Sequence, residues 1–283
     1  MTTIKNLRFA YKREPALFSA LSLQLEDGSI YGLLGKNGVG KTTLLKIVGG
    51  LLFAQGGVCA VDGMDSRQRL PSMLEEIYLL PEEFDIPPLS PRVYRQLYGP
   101  LYPRFDDQLF VTCLREFDLE SQRPLTRMSY GQRKKFLVAF GLATDCRLLL
   151  LDEPTNGLDI PSKSQFRRLV AGAVSDHRTF LISTHQVRDM QNLIDPIIIL
   201  EDGQIIFQAD TFRASEKLAV ITQTNEPGPS EALYAEKTPG GYAIIRERVP
   251  QDEPAQIDLE LLFNAVVAEP QKVATIFAKE ESV

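Results

Sequence analysis

The stretch Ile30-Tyr31-Gly32-Leu33-Leu34-Gly35-Lys36-Asn37-Gly38-Val39-Gly40-Lys41-Thr42 decides how the chain reads. An apolar run ends in a glycine-rich loop, and Thr43-Leu44-Leu45-Lys46-Ile47-Val48 continues as a helix. The loop fits GxxxxGK[ST] in strand, loop, helix order. A phosphate tail needs many donors converging on it with no side chains in the way. Gly35, Gly38 and Gly40 let backbone N–H groups curl round its oxygens, and the helix start adds its positive dipole end. Lys41 is placed to reach the β- and γ-phosphates, and the Thr42 hydroxyl to ligate Mg²⁺. The stretch therefore reads as a nucleotide site.

Residues 1 to 34 alternate and turn. Leu7 to Tyr11 and Leu21 to Leu25 have period two, and Glu26-Asp27-Gly28 leads into Ser29 to Leu34, which predicts antiparallel strands feeding the strand that carries the loop. Tyr11 has two readings, a core aromatic or a ring stacked on a base. Downstream, Gly56 to Gly63 holds a short strand between turns, and Ile77-Tyr78-Leu79-Leu80-Pro81 another. From Glu82 to about Thr126 prolines punctuate short helical stretches, Arg92 to Tyr98 and Asp106 to Phe117, which predicts a helical subdomain inserted into an α/β core. Its aromatics, Phe84, Tyr94, Tyr98, Tyr102 and Phe105, fit either a small core or a docking surface.

Met128-Ser129-Tyr130-Gly131-Gln132-Arg133 follows, then a predicted amphipathic helix from Lys134 to Thr144. Ser129 is a helix cap, and that same geometry suits an anion. The run Leu148-Leu149-Leu150-Leu151-Asp152-Glu153 reads as a central parallel strand covered on both faces, with two carboxylates at the end where such sheets bind ligands. Asp152 is placed for Mg²⁺ and Glu153 to polarise an attacking water. Asn156 to Asp159 is a turn before a helix from Pro161 to about Ser175; Arg178 to Ser183 is a further buried strand, and His185 stands just past its end, in reach of a γ-phosphate. Pro196 to Leu200 and Gln204 to Gln208 form a predicted hairpin.

The chain has 283 residues, a net charge of −6 and 44% apolar residues, the profile of one large globular domain with a small appendage. That charge gives no electrostatic case for nucleic acid. Cys59, Cys113 and Cys146 are far apart, without metal spacing, and read as thiols in a reducing compartment. The first residues lack the apolar run of a signal peptide, and no window approaches the length of a membrane span.

Taken in order, the phosphate loop, MSYGQ, LLLLDE, GLD and strand-then-His resemble the ATP-binding subunit of an ABC transporter, over residues 1 to about 210. The single-cassette ATPases of the export branch, handling drugs, peptides or lipid-like substrates, are the nearest kind. The resemblance implies a P-loop NTPase core with an antiparallel β subdomain and an inserted helical subdomain at about 82–145, forming a cassette over 1–209. It implies Tyr11 as base-stacking residue and Gly35, Asn37, Gly38, Gly40, Lys41, Thr42 and Thr43 as phosphate contacts. Ser129, Gly131 and Gln132 become the signature that binds ATP, Asp159 the subunit-communicating residue, Glu153 and His185 the catalytic pair, and Thr42, Asp152 and Glu82 the metal side. ATP and Mg²⁺ are the implied ligands. Head-to-tail dimerisation with itself or a paralogue is implied, as is a polytopic membrane permease as partner, with the chain peripheral on the inner face of the cell membrane. A soluble clamp ATPase in assembly or translation is the alternative; its translation-type members usually carry two cassettes and a charged linker, which this chain lacks.

Two departures stand out. Tyr130 replaces the first of two usual glycines, and Glu82 stands where the family commonly has glutamine, adding a charge to those of Asp152 and Glu153. Beyond 210 the sequence predicts a small α+β extension. Its strands fall at Leu218 to Thr224 and Tyr242 to Val249, separated by a break at Glu226 to Pro229, and its helices at Asp258 to Ala268 and Pro270 to Lys279. A stabilising cap, a dimerising element and a regulatory one all fit.

Overall fold

A computed structural model describes residues 1–228, 231–252 and 256–278. In chain order the elements are β1 (Thr2–Ala10), β2 (Ala16–Leu25), β3 (Ile30–Leu34), α1 (Lys41–Val48), β4 (Gly56–Val61), β5 (Met64–Asp65), α2 (Pro71–Leu74) and β6 (Ile77–Leu80). Then come α3 (Pro91–Tyr98), α4 (Asp107–Glu116), α5 (Tyr130–Ala143), β7 (Leu148–Asp152), α6 (Ile160–Ala173), β8 (Thr179–Thr184), α7 (Val187–Met190), β9 (Ile197–Glu201) and β10 (Gln204–Ala209). The tail adds α8 (Thr211–Lys217), β11 (Leu218–Gln223), β12 (Tyr234–Thr238), β13 (Gly241–Glu247), α9 (Leu259–Ala268) and α10 (Pro270–Ala278).

The central sheet runs β10-β9-β3-β8-β7-β6, parallel throughout except for β10, which pairs antiparallel with β9 as the predicted hairpin. Strands β3, β7 and β8 are buried at every residue, as parallel strands with covered faces must be. Leu148 and Leu150 enter one apolar cluster with α1 and the second sheet, while Leu149 and Leu151 enter another with α5 and α6. That second sheet, β2-β1-β4-β5, is antiparallel, and α1 lies between the two. The N-terminal strands are antiparallel as expected and lead into β3, which lies in the other sheet. β2 buries alternate residues, Leu21, Leu23 and Leu25, and suits a one-sided sheet, whereas Ile30 to Leu34 is apolar on both faces and belongs in the middle of a layered one.

The inserted region holds α3 and α4, capped by Ser90 and Asp106. The sequence reading made the helix after MSYGQ amphipathic and began it at Lys134. It begins instead at Tyr130, and from Phe136 to Ala143 every residue is buried, because the central sheet covers one side and α3 and α4 the other. Phe140 is its hub. The rings of Tyr78, Tyr94, Tyr102, Phe105, Phe110 and Phe136 surround it at centroid distances of 5.0 to 6.5 Å. Most of the inserted aromatics are thus core, while Val93, Leu97, Tyr98 and Leu101 stay exposed.

In the tail, β11-β13-β12 form an antiparallel sheet. β12 and α8 were not expected: Tyr234-Ala235-Glu236-Lys237-Thr238 is a mixed edge strand without clean alternation, and α8 is short. Pro229 and Lys279, ends of a predicted break and a predicted helix, lie outside the described residues. Ile257, Leu262, Val266 and Val273 join the same apolar cluster as α5 and β9, so the tail packs on the cassette. Phe277 meets Phe207 edge-on at 5.1 Å. All three cysteines are buried and unbridged, and burial pushes the Cys146 thiol up to about 12. Among the described residues no helix is long and apolar enough to cross a membrane.

Phe140→Ala removes the hub ring of the inserted region. It is expected to lower unfolding free energy by about 3–5 kcal/mol, read as a shifted midpoint in urea denaturation followed by circular dichroism.

Candidate active site

The C-terminal ends of β3, β7 and β8 open on one side of the sheet, and the glycine-rich loop closes over them. Two glycines are obligatory there. A Cβ on Gly35 would lie 2.6 Å from the Leu200 carbonyl oxygen, and Gly40, at φ +108°, would drive one to 2.8 Å from the Phe18 ring. Between them the loop turns tightly enough to deliver Lys41 into the site.

A cavity of ≈ 550 Å³ results. Its walls include Tyr11, Asn37, Gly38, Gly40, Lys41, Thr42, Thr43, Glu82, Asp152, Glu153 and His185, while Gly35 lies just beneath. Lys41 is buried, and its Nζ donates to the carbonyls of Gly35 (2.7 Å) and Lys36 (3.1 Å) and lies 3.9 Å from Glu153 Oε1. Burial pushes its ammonium below the ordinary range, against the pull of Glu153, Asp152 and Glu82. The Thr42 hydroxyl donates to Asp152 Oδ2 at 2.7 Å, and Ser183 donates to Oδ1 of the same carboxylate. Tyr11 sits on the rim, 40% exposed, its hydroxyl 2.9 Å from Thr43 Oγ1 and its ring edge-on to Phe9.

Glu153 is the most constrained residue of the group. It is 4% exposed and has φ +44°, a left-handed backbone that a glutamate adopts only when its surroundings hold it there. Ser183 provides that hold, accepting from Glu153 N through its carbonyl (3.1 Å) and its Oγ (3.2 Å). The carboxylate then aims Oε1 at His185 Nδ1, 2.7 Å away, and leaves Oε2 buried without a partner. An unpaired buried acceptor is uncommon.

Ser129, Gly131, Gln132 and Asp159 do not line this cavity. Ser129 and Gln132 close a capping box at the start of α5, with Ser129 exposed. Asp159 caps α6, and hydrogen bonds from Ser162 hold its carboxyl below the usual carboxylate range. The two helix starts touch, since a Cβ on Gly131 would lie 2.9 Å from the Gly157 carbonyl oxygen. Tyr130 turns back into its own subunit, stacking on Phe84 at 5.3 Å and donating to the Glu82 carbonyl at 2.7 Å. The bulky ring therefore leaves the outer faces of Ser129 and Gly131 uncovered. Glu82 accepts from Asn156 Nδ2 at 2.9 Å, and Gln186 donates to Asn156 Oδ1 at 2.8 Å.

Sequence reasoning missed Ser183, Asn156, Gln186 and Lys134. The last is fully buried in α5, with Nζ donating to the Glu153 carbonyl at 2.8 Å. It did carry a signal: Lys134 shares the stripe of Leu137, Val138 and Gly141 at helical spacing, a charge where the pattern calls for an apolar side chain.

A family model described as "ABC transporter" matches residues 18–156. The ABC transporter ATP-binding protein NatA of Bacillus subtilis (strain 168) is 31% identical over 198 residues, covering 66% of this chain and 79% of that one. The lantibiotic transport ATP-binding protein SrtF of Streptococcus pyogenes is 28% identical over 226 residues, covering 77% and 94%. Among solved structures, a dimeric bacterial ABC transporter cassette superimposes with a TM-score of 0.66 at 22% identity, over 74% of this chain and 98% of that one, a likeness of fold.

Lys41→Ala is expected to weaken binding of a nucleoside triphosphate by about ten- to a hundredfold, the loss of charge-assisted bonds to phosphate. Calorimetric titration measures it, and an unchanged affinity overturns the assignment of the loop.

Proposed function

The chain belongs to the ATP-binding proteins of ABC transporters, ATPases that power transport through a membrane component, and from that premise we propose how its own residues divide the work. Glu153 is the general base. The observation that carries this is its second carboxylate oxygen, Oε2, buried at the cavity without a partner while Oε1 is held by His185. A water on Oε2 gives up its proton to that oxygen as its own oxygen attacks the γ-phosphorus, and the bond to the β,γ-bridging oxygen breaks. His185 fixes the carboxylate and faces the γ-phosphate. Lys41 exchanges its two loop carbonyls for phosphate oxygens, and Tyr11 lays its exposed ring against the base.

Among the described residues no group of three or more His, Cys, Asp or Glu side chains is placed to hold a metal ion unaided. Mg²⁺ does not require one, because it is commonly held by one or two carboxylates together with substrate phosphates and water. The Thr42 hydroxyl and the carboxylates of Asp152 and Glu82 are hard oxygen donors on one cavity wall and fit such an ion. When bound, Mg²⁺ supplies charge neutralisation at the β- and γ-phosphate oxygens.

Two copies, or one copy and a paralogue, close head to tail in this reading, with Ser129, Gly131 and Gln132 of one capping the ATP of the other and Asp159 carrying the signal between them. The support is that these residues stand outside their own cavity at an exposed helix start. ATP favours closure because it touches both surfaces only in the closed state. The exposed side chains Val93, Leu97 and Leu101 of the inserted region suit docking on a permease at the inner membrane face, with export the direction we infer, and the relative named for lantibiotic transport supports a role in transport. The cassette spans 1–209 and the appendage 210–283.

Glu153→Gln is expected to lower kcat about 10²- to 10⁴-fold while ATP still binds, and to trap an ATP-dependent dimer on gel filtration. A variant that turns over normally or stays monomeric with ATP and magnesium overturns the reading. Leu97→Glu with Leu101→Glu is expected to leave ATP binding unchanged and to release the protein from permease-containing membranes in a sedimentation assay.

A further inference from the structure

Three carboxylates line the cavity: Glu82, Asp152 and Glu153. A triphosphate entering beside them adds more negative charge. In front of them stands Lys41, 3.9 Å from Glu153 Oε1, and the phosphates occupy that ammonium once the nucleotide is bound. A second fixed cation near these carboxylates lowers the repulsion that a triphosphate meets, whether or not a divalent ion accompanies it.

Lys134 is that cation. It is 0% exposed, and an unmatched ammonium at such a depth is strongly unfavourable. The charged groups facing it are Glu82, Glu153 and Asp152, and their attraction offsets part of the downward push that burial exerts on the ammonium. Its Nζ donates to the Glu153 carbonyl at 2.8 Å and sits 5.3 Å from the centroid of the Tyr130 ring, which shields it. Tyr130 in turn donates to the Glu82 carbonyl. One side chain of α5 thus grips the strained peptide that aims Glu153, and its neighbour one turn back grips the segment that carries Glu82.

We propose that Lys134 is a positioning residue for hydrolysis, which holds Glu153 by its carbonyl and, across the Tyr130 ring, lies beside the segment that carries Glu82, so that the two residues are coupled. The proposal rests on Glu153 as base. Failure of that reading shows independently as turnover by Glu153→Gln, whereas the pair is tested by variants that keep Glu153.

The test is a double-mutant cycle in the full chain with Lys134→Gln, Glu82→Gln and both together. It reads kcat and KM with magnesium, affinity for a fluorescent ATP analogue in EDTA, and melting temperature. Lys134→Gln alone is expected to lower kcat about tenfold or more with KM within about threefold, because the base is misaimed rather than the substrate released. It is also expected to weaken metal-free nucleotide binding about five- to tenfold through uncompensated carboxylates. Adding Glu82→Gln restores metal-free affinity to within about threefold of the parent and recovers part of the melting temperature, a coupling that independent sites do not show. A double variant no better than Lys134→Gln in affinity and melting temperature, or a Lys134→Gln of parental kcat, overturns the proposal. If Lys134→Gln does not fold, Lys134→Met takes its place. Folding only in company with Glu82→Gln supports the pair, and failure to fold in both backgrounds overturns it.

Discussion

The structure depends on charges being buried where a parallel sheet ends. A strand covered on both faces has no polar residues to spare, so the functional groups of β7 appear only after its last leucine, as Asp152 and Glu153. Both are almost wholly buried, and a buried carboxylate persists in its charged form only with partners. Each contact comes from a different element: Thr42 from the start of α1, Ser183 from β8 and His185 from the loop beyond it at the carboxylates, and Lys134 from α5 at the Glu153 backbone carbonyl. The layers of the fold are what bring these five pieces of chain within hydrogen-bond reach.

How much of this was legible in the sequence follows from the physics of each part. The glycine-rich loop was readable because a Cβ at Gly35 would come within 2.6 Å of a carbonyl oxygen, which leaves no choice of residue there. Strands β3, β7 and β8 were readable because burial on two faces forces unbroken apolar runs. The sheet to which β2 belongs was not, since short turns look alike whether they close a hairpin or cross between layers. The burial of α5 was not, because the residues covering it come from α3 and α4, distant in sequence. Asn156 and Gln186 were unreadable as site residues for the same reason: their meaning lies in what stands opposite them, and pairing between distant segments leaves no local pattern, whereas Lys134 showed only as a charge in an apolar stripe. Tyr130 is the reverse case, an evident departure in the sequence whose consequence depended on a rotamer.

The tail also bears on the site through its position. Gln191, just beyond α7, donates to the Ile257 carbonyl at 2.7 Å and accepts from Leu259 N at 2.9 Å, while Arg188 pairs with Glu260. Phe263 of α9 shares a cavity of ≈ 250 Å³ with Gly35, Lys36, Asn37 and His185. The loop that follows β8 is therefore held from the nucleotide side by Glu153 and from the far side by α9. A stabilising role and a regulatory role cease to be separate alternatives at such a place, since whatever steadies α7 also steadies the imidazole that meets Glu153.

The strain at Glu153 fits this picture energetically. A left-handed backbone for a non-glycine residue costs about 1–3 kcal/mol, and a buried acceptor without a partner about as much again. Against a net stability of about 5–15 kcal/mol for a protein domain, the pair of terms is not small. A protein whose only task were to stay folded would shed both with one substitution. They persist at a residue that lines the cavity. Strain and an unpaired acceptor thus fall together on one carboxylate beside the glycine-rich loop, the place where the sheet gathers its polar groups.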